Sequence, residues 1–169
     1  MTETLTPARL WKSLPLEQRT RIARAFWLDE EAVDDQLQAA LLIAQQKKFR
    51  PKTVVNLDVD RKARHLATLG SVPDTTAARA LVIYHLAEQR SMMGAFLDAL
   101  GIAHEEGLIK EENVKPEADK IAPAVAKLGE QFPADDVRLY LTTLLSQDPE
   151  TWGALSDVIG DTAASGQAR

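Results

Sequence analysis

A histidine and a glutamate with helical spacing stand near the middle of the chain, where His85 precedes Glu88 by three positions. Residues three apart share one helix face, and some helical bundles bind metals through Glu-x-x-His pairs from two helices. Here the order is reversed, and the sequence offers no second pair. His85, Glu88 and His104 are therefore an alternative metal site, but we expect no metal or cofactor and favour a half-buried His85 that bonds a neighbour.

A turn rich in ionisable residues spans positions 104 to 107 and includes His104 and Glu105. An imidazole titrates near neutral pH, and a nearby carboxylate can orient it for proton transfer. The candidate catalytic residues are therefore His85, Glu88, His104 and Glu105. Flanking glycines are equally typical of an ordinary helix end, so the turn also has a purely structural interpretation.

Tyr84, His85 and Arg90 are the candidates for a ligand pocket, because all three belong to one predicted helix. The Arg90 guanidinium could bind an anionic ligand, whereas a structural ion pair with a carboxylate is the interpretation that we favour.

Basic residues are concentrated between positions 47 and 64, and this stretch is the best nucleic-acid signal in the chain. Seven cations face only Asp58 and Asp60, but Phe49 alone is nearby for base stacking. A net charge of −5 opposes broad phosphate affinity, so nucleic-acid binding ranks third among the function hypotheses. The seven cations are Lys47, Lys48, Arg50, Lys52, Arg61, Lys62 and Arg64.

Several classes of protein are excluded or disfavoured by what the sequence lacks. With no cysteine, it forms no disulfide, thiolate metal site or cysteine nucleophile. Gly-rich phosphate loops, a G-x-S-x-G elbow and an H-E-x-x-H motif are missing, which favours a non-catalytic protein without deciding the question. The first residues do not resemble a signal peptide, and no apolar run approaches the roughly 20 residues of a membrane span, so we expect a soluble, cytoplasmic protein.

The elements that must position these residues are predicted to be helices. Aromatic residues make up only 5% of the chain, and alanine, leucine and charged helix formers dominate. We predict an all-α fold, a single-domain irregular bundle of seven or eight helices over residues 1–159, followed by a mobile tail over 160–169.

Proline and capping residues predict where these helices begin. Thr6-Pro7 and Asp148-Pro149 mark the clearest starts, Asp58 caps a helix that Gly70 ends, and Trp11 and Trp27 enter the core. The segment before Asp58 could contain a short extended piece. The helix that ends near Lys47 is predicted to face the core through Val33, Leu37, Ala40, Leu41 and Ala44.

A long central helix is predicted over residues 75–100, ended by Gly101. One apolar stripe of this helix, which would face the core, contains Val82, Leu86, Met93, Phe96, Leu97 and Leu100.

The leading hypothesis for function is a non-catalytic helical protein that binds another protein or a second copy of itself, as in a homodimer. Apolar residues near the chain ends could form the contact surface. The alternative is a helical enzyme or ligand-binding protein with a pocket beside the central helix. The residues of the predicted contact surface are Leu5, Leu10, Trp11, Trp152, Leu155 and Ile159.

Overall fold

The computed structural model describes residues 4–112 and 114–159, and it is 72% helical, which confirms the all-α fold class. The predicted tail over 160–169 lies outside the described residues. A short helical segment over residues 155–159 follows the last of the labelled elements. In chain order these are α1 Pro7–Ser13, α2 Leu16–Leu28, α3 Val33–Lys47, α4 Pro51–Val55, α5 Val59–Ala67, α6 Asp74–Glu88, α7 Arg90–Leu100, β1 His104–Glu105, β2 Leu108–Ile109, α8 Ala118–Gln131, α9 Ala134–Gln147 and α10 Pro149–Trp152.

Side-chain caps start three of the helices at the predicted places. The side chain of Thr6 accepts the Arg9 N–H of α1 at 3.2 Å, and Asp58 accepts the Arg61 N–H of α5 at 2.8 Å. Asp148 caps α10 in the same way. Each cap satisfies a backbone donor that the first turn of a helix leaves without a partner, which is why the local sequence identified these starts.

Two local predictions around α4 and α5 are wrong. The suggested extended piece before Asp58 is the short helix α4, because Pro51 takes the first helical position and needs no N–H partner there. Helix α5 ends at Ala67, with Thr68 as its C-cap, before the chain reaches Gly70. Gly70 therefore lies beyond the C-cap of α5 and does not end this helix.

The chain forms two compact units. Among the described residues, the N-terminal unit spans Thr6–Ala87, and the C-terminal unit contains residues 88–112 and 114–159 together with residues 4–5. No described helix is long and apolar enough to cross a membrane.

The core of the N-terminal unit contains the packing of α2 on α5 and of α3 on α4 and α5. Phe26 and Trp27 of α2 contact each other edge to face, with ring centroids 5.2 Å apart. Trp11 and Trp27 are both buried, at 3% and 7% exposed, as predicted. Burial of these large rings supplies much of the apolar area that stabilises a unit of this size.

The core of the C-terminal unit contains the packing of α7 on α8, of α8 on α9 and of α9 on α10. Phe96 lies at its centre, 5.7 Å from the Tyr140 ring in an edge-to-face arrangement and 5.9 Å from the Trp152 ring. Burial raises the pKa of the Tyr140 hydroxyl, so this residue is neutral in the core.

The predicted central helix is two helices, because regular structure breaks at Gln89, with φ −127° and ψ 23°. The predicted stripe describes α7 correctly, since Met93, Phe96, Leu97 and Leu100 are buried. In α6, however, Val82 and Leu86 are only half-buried. At about 100° per residue, the residues that α6 buries and those that α7 buries would lie on different sides of one straight helix. The break lets both sets be buried. The buried residues of α6 are Ala77, Ala80, Leu81, Ile83, Tyr84 and His85.

A small antiparallel hairpin replaces the predicted turn after α7. In it His104 pairs with Ile109 and Glu105 pairs with Leu108. Glu106 and Gly107 form the two-residue turn, both with positive φ, at 50° and 91°. Positive φ at both positions is the geometry of a type I′ turn, which matches the twist of the strands that it joins. Gly101 ends α7 in the left-handed conformation, as predicted.

Candidate functional site

Tyr84 and His85, two candidates for a ligand pocket, are buried residues of α6. Tyr84 is 1% exposed and His85 is 3% exposed, and their rings contact each other with centroids 5.3 Å apart. Burial lowers the pKa of His85 to about 4, so the imidazole is neutral at pH 7. Neither side chain is accessible to a ligand from solvent in this arrangement.

Glu88, the proposed companion of His85, is exposed at the end of α6, and it belongs to the C-terminal unit whereas His85 belongs to the N-terminal unit. No group of three or more histidine or acidic side chains with metal-binding geometry occurs within residues 4–112 and 114–159. Nothing in this geometry marks a metal centre around His85.

His104 is held by partners on both ring nitrogens. The backbone N–H of Gly107 donates to Nδ1 at 3.1 Å, and Nε2 lies 2.7 Å from Oδ1 of Asp98. Because Nδ1 accepts a hydrogen bond, the proton of the neutral ring is on Nε2, which donates to the Asp98 carboxylate. A general base needs a nitrogen lone pair that faces the substrate. Here the Nδ1 lone pair accepts the Gly107 N–H. His104 therefore stabilises the turn of the hairpin and presents no lone pair to a substrate.

The remaining contacts of the hairpin also fix it on α7. Arg90 and Glu106 form an ion pair between the start of α7 and the turn. The His104 ring packs on Gly94, where an added Cβ would lie 3.2 Å from Cε1. Gly107 approaches Met93 so closely that an added Cβ would lie 2.7 Å from the Met93 Cβ. Arg90 and His104 thus both hold the hairpin against α7, while Glu105 is exposed on β1.

Several cations of the basic stretch contact other side chains of the N-terminal unit. Arg61 pairs with Asp58, and the ammonium of Lys62 lies 5.1 Å from the ring centroid of Trp27. Lys47 donates to Thr68 at 2.6 Å, and its Nζ lies 3.0 Å from Nδ1 of His65.

The environment of His65 further ties the basic stretch into the fold. Burial, together with the charges of Lys47 and Arg64, lowers the pKa of His65, which favours the neutral ring, and Nδ1 of that ring can accept a hydrogen bond from the Lys47 ammonium. Phe49, the predicted stacking residue, contacts His65 edge to face and is 39% exposed. Phe49 thus covers His65 and offers part of its surface to solvent. The exposed cations of the basic stretch are Lys48, Arg50, Lys52, Arg61 and Arg64.

Four of the six residues of the contact surface predicted at the chain ends are buried, whereas Leu5 and Ile159 are partly exposed. Leu10, Trp11, Trp152 and Leu155 are each at most 4% exposed, because they belong to the cores of the two units. Such side chains cannot form a surface for a partner.

A different apolar surface lies on α3, where Val33, Leu37 and Leu41 are 61%, 50% and 43% exposed. These residues recur every fourth position and therefore form one ridge along the helix, which we call the α3 ridge. Leu41 also borders a shallow groove towards Pro73 and Thr76 at the start of α6.

The prediction for α3 is right for Ala40 and Ala44 and wrong for these three residues, because the buried face of α3 is formed by its alanines and Ile43. Ala39, Ala40, Ile43 and Ala44 are the buried residues of α3, at most 5% exposed. Small side chains let α3 approach α4 and α5 closely, since the distance between packed helices depends on the side chains at the contact. The alanines at positions 39, 40 and 44 were the sequence signal for the buried face of α3. Periodicity alone did not separate that face from the face of Val33, Leu37 and Leu41.

Comparison with known protein families, curated proteins and solved structures found no match to this chain, so no function can be transferred from a relative.

Proposed function

We propose that this chain is a non-catalytic protein that works by self-association, with the α3 ridge as the contact surface. The observation that carries the proposal is the exposure of Val33, Leu37 and Leu41, each 43% or more, on one ridge of a single helix. Contiguous exposed apolar side chains are typical of protein interaction surfaces, whereas isolated ones are common on any protein.

A second copy fits this surface because a ridge of residues spaced by four also defines a groove beside it. Ridges of one helix pack into grooves of another, and two identical helices related by a twofold axis satisfy this requirement for each other. Full burial of a valine or leucine side chain is worth about 1.5–3 kcal/mol, and roughly half of that gain is still unrealised for each residue of the ridge.

The catalytic alternative has less support from the arrangement of the candidate residues. His85 is buried in α6, and both ring nitrogens of His104 are engaged by Asp98 and Gly107. Neither histidine therefore presents a nitrogen to a substrate in this arrangement.

The test measures molecular mass in solution by sedimentation equilibrium over a range of protein concentrations. We expect a reversible dimer, and we expect Leu37→Gln with Leu41→Gln to weaken dimerisation at least tenfold while helix content is unchanged. Leu16→Gln is the matched control, because Leu16 is 49% exposed on α2, close to the 50% of Leu37. A protein that stays monomeric at the highest concentration, or a dimer that the ridge variant leaves intact, would refute the proposal.

A further inference from the structure

Opposite charges are concentrated at the two ends of the α3 ridge. Five acidic residues occur over positions 29–35, and four basic residues occur over positions 47–52. Three of them have partners inside the N-terminal unit, since Asp29 accepts the Glu31 backbone N–H, Asp35 pairs with Arg79, and Lys47 contacts His65 and Thr68. The exposed side chains left at the two ends are Glu30, Glu31 and Asp34 on one side, and Lys48, Arg50 and Lys52 on the other.

These six side chains form no ion pair within the part of the chain that the structure describes. The acidic end coincides with the N-terminus of α3 and the basic end with its C-terminus, so the charges also follow the helix dipole. The helix is therefore complementary in charge to a reversed copy of itself.

The centre of this charge pattern coincides with the centre of the apolar ridge. Ala39 is midway between Leu37 and Leu41, and it is also midway between Glu30 and Lys48. A twofold axis that passes α3 near Ala39 would place each leucine against the other leucine of the partner. The same axis would place each acidic end beside a basic end.

We propose that two copies of this chain pair their α3 helices antiparallel about a twofold axis near Ala39. Leu37 then packs on the partner's Leu41, and Glu30 and Glu31 face the partner's Lys48 and the partner's Arg50. This inference rests on the proposed function, and it adds the orientation of the two copies and the residues that select it.

Electrostatics decides between the two possible orientations of the pair. A parallel pair would bring acidic end to acidic end and basic end to basic end, whereas an antiparallel pair places opposite charges together at both ends. Two ridges of residues spaced by four that pack together cross at about 50°, which still leaves each acidic end nearer to the partner's basic end than to the partner's acidic end. Charged groups across an interface select the partner and its orientation more than they add to affinity.

Charge reversal tests the inference on the full chain. One variant carries Glu30→Lys with Glu31→Lys, and the other carries Lys48→Glu with Arg50→Glu. We expect each variant alone to dimerise at least tenfold more weakly than the parent, and a mixture of the two to form a heterodimer tighter than either homodimer. Glu111→Lys with Glu112→Lys is the control, because it changes net charge as the first variant does but lies on an exposed segment of the C-terminal unit.

The outcomes separate this inference from the proposed function. One outcome is that Leu37→Gln with Leu41→Gln abolishes the dimer, while both charge variants leave it unchanged and show no preference for the heterodimer. In that case the antiparallel arrangement is wrong, and self-association through the α3 ridge stands. If the parent protein is a monomer, both proposals fail.

A cross-linking experiment reads the orientation directly, since the chain contains no cysteine. A mixture of Glu30→Cys and Lys48→Cys, treated with a short bis-maleimide, is expected to yield a covalent dimer, whereas each variant alone is not. Cross-linking of each variant with itself would show a parallel pair and overturn the inference.

Discussion

At the scale of single residues, the two histidines named as catalytic candidates have different structural roles. His85 is a buried neutral side chain, and burial keeps its pKa at about 4. His104 connects Asp98 at the end of α7 with the backbone of Gly107. The sequence showed that both residues could ionise, but hydrogen-bond partners and burial depend on side chains that only the fold brings near.

The depressed pKa of His85 makes stability depend on pH. An unfolded histidine has a pKa of about 6.5, so between pH 6.5 and pH 4 the unfolded chain binds a proton that the folded chain does not. Stability therefore falls as the pH is lowered through this range. A shift from about 6.5 to about 4 corresponds to about 3 kcal/mol for this residue.

Urea unfolding of the parent and of His85→Gln at pH 7 and at pH 4 measures this effect. Other titrating groups contribute to both proteins, so the difference between the two pH dependences isolates His85. We expect the parent to lose about 3 kcal/mol more than the variant. Parallel losses in the two proteins would show that His85 is not buried in its neutral form.

At the scale of elements, backbone geometry decides which glycines are required. Gly107 has a φ of 91°, and an added Cβ would meet Met93 at 2.7 Å. Gly129 in α8 has nothing within 4 Å of an added Cβ. The first glycine is needed for the hairpin to close on α7, whereas the second only lowers the helix propensity of α8.

Alanine substitution at these two positions should therefore have opposite effects. We expect Gly107→Ala to lower the free energy of unfolding by about 1–3 kcal/mol, because it combines backbone strain with a clash. We expect Gly129→Ala to raise it by about 0.5–1 kcal/mol, since alanine loses less entropy in a helix interior. Chemical unfolding checks both values, and a neutral Gly107→Ala would mean that the turn adopts another conformation.

At the scale of the whole molecule, each of the two compact units has its own buried aromatic residues. Phe26 and Trp27 contact each other within the N-terminal unit, and Phe96 packs with Tyr140 and Trp152 within the C-terminal unit. The α3 ridge and both of its charged ends belong to the N-terminal unit. A unit with its own core and its own contact surface can fold and associate as one piece.

A fragment of residues 6–87 tests this expectation. We expect helical circular dichroism, a cooperative thermal transition and dimerisation that Leu37→Gln with Leu41→Gln weakens as it does in the full chain. A shorter fragment of residues 6–67 is the control, because it lacks α6 and the six residues that α6 buries. A fragment 6–87 without a cooperative transition would show that its core depends on the rest of the chain.

Local signals were enough to predict the helical class and several helix starts, because caps and helix propensity act within one turn of chain. Thr6, Asp58 and Asp148 accept hydrogen bonds from residues three positions later, so their roles can be read from the sequence itself. Gly101 was equally clear, since its left-handed conformation is a local property of a helix end.

The tertiary structure alone decided which faces are buried and where the predicted central helix divides. In α3, residues at three- and four-residue spacing fit either face, and close packing against α4 and α5 selected the alanines and left Leu37 and Leu41 exposed. Gln89 is neither glycine nor proline, and helix formation breaks there because α6 and α7 bury different sides. Periodicity shows that a helix has an apolar face, but the neighbours against which it packs determine which face enters the core.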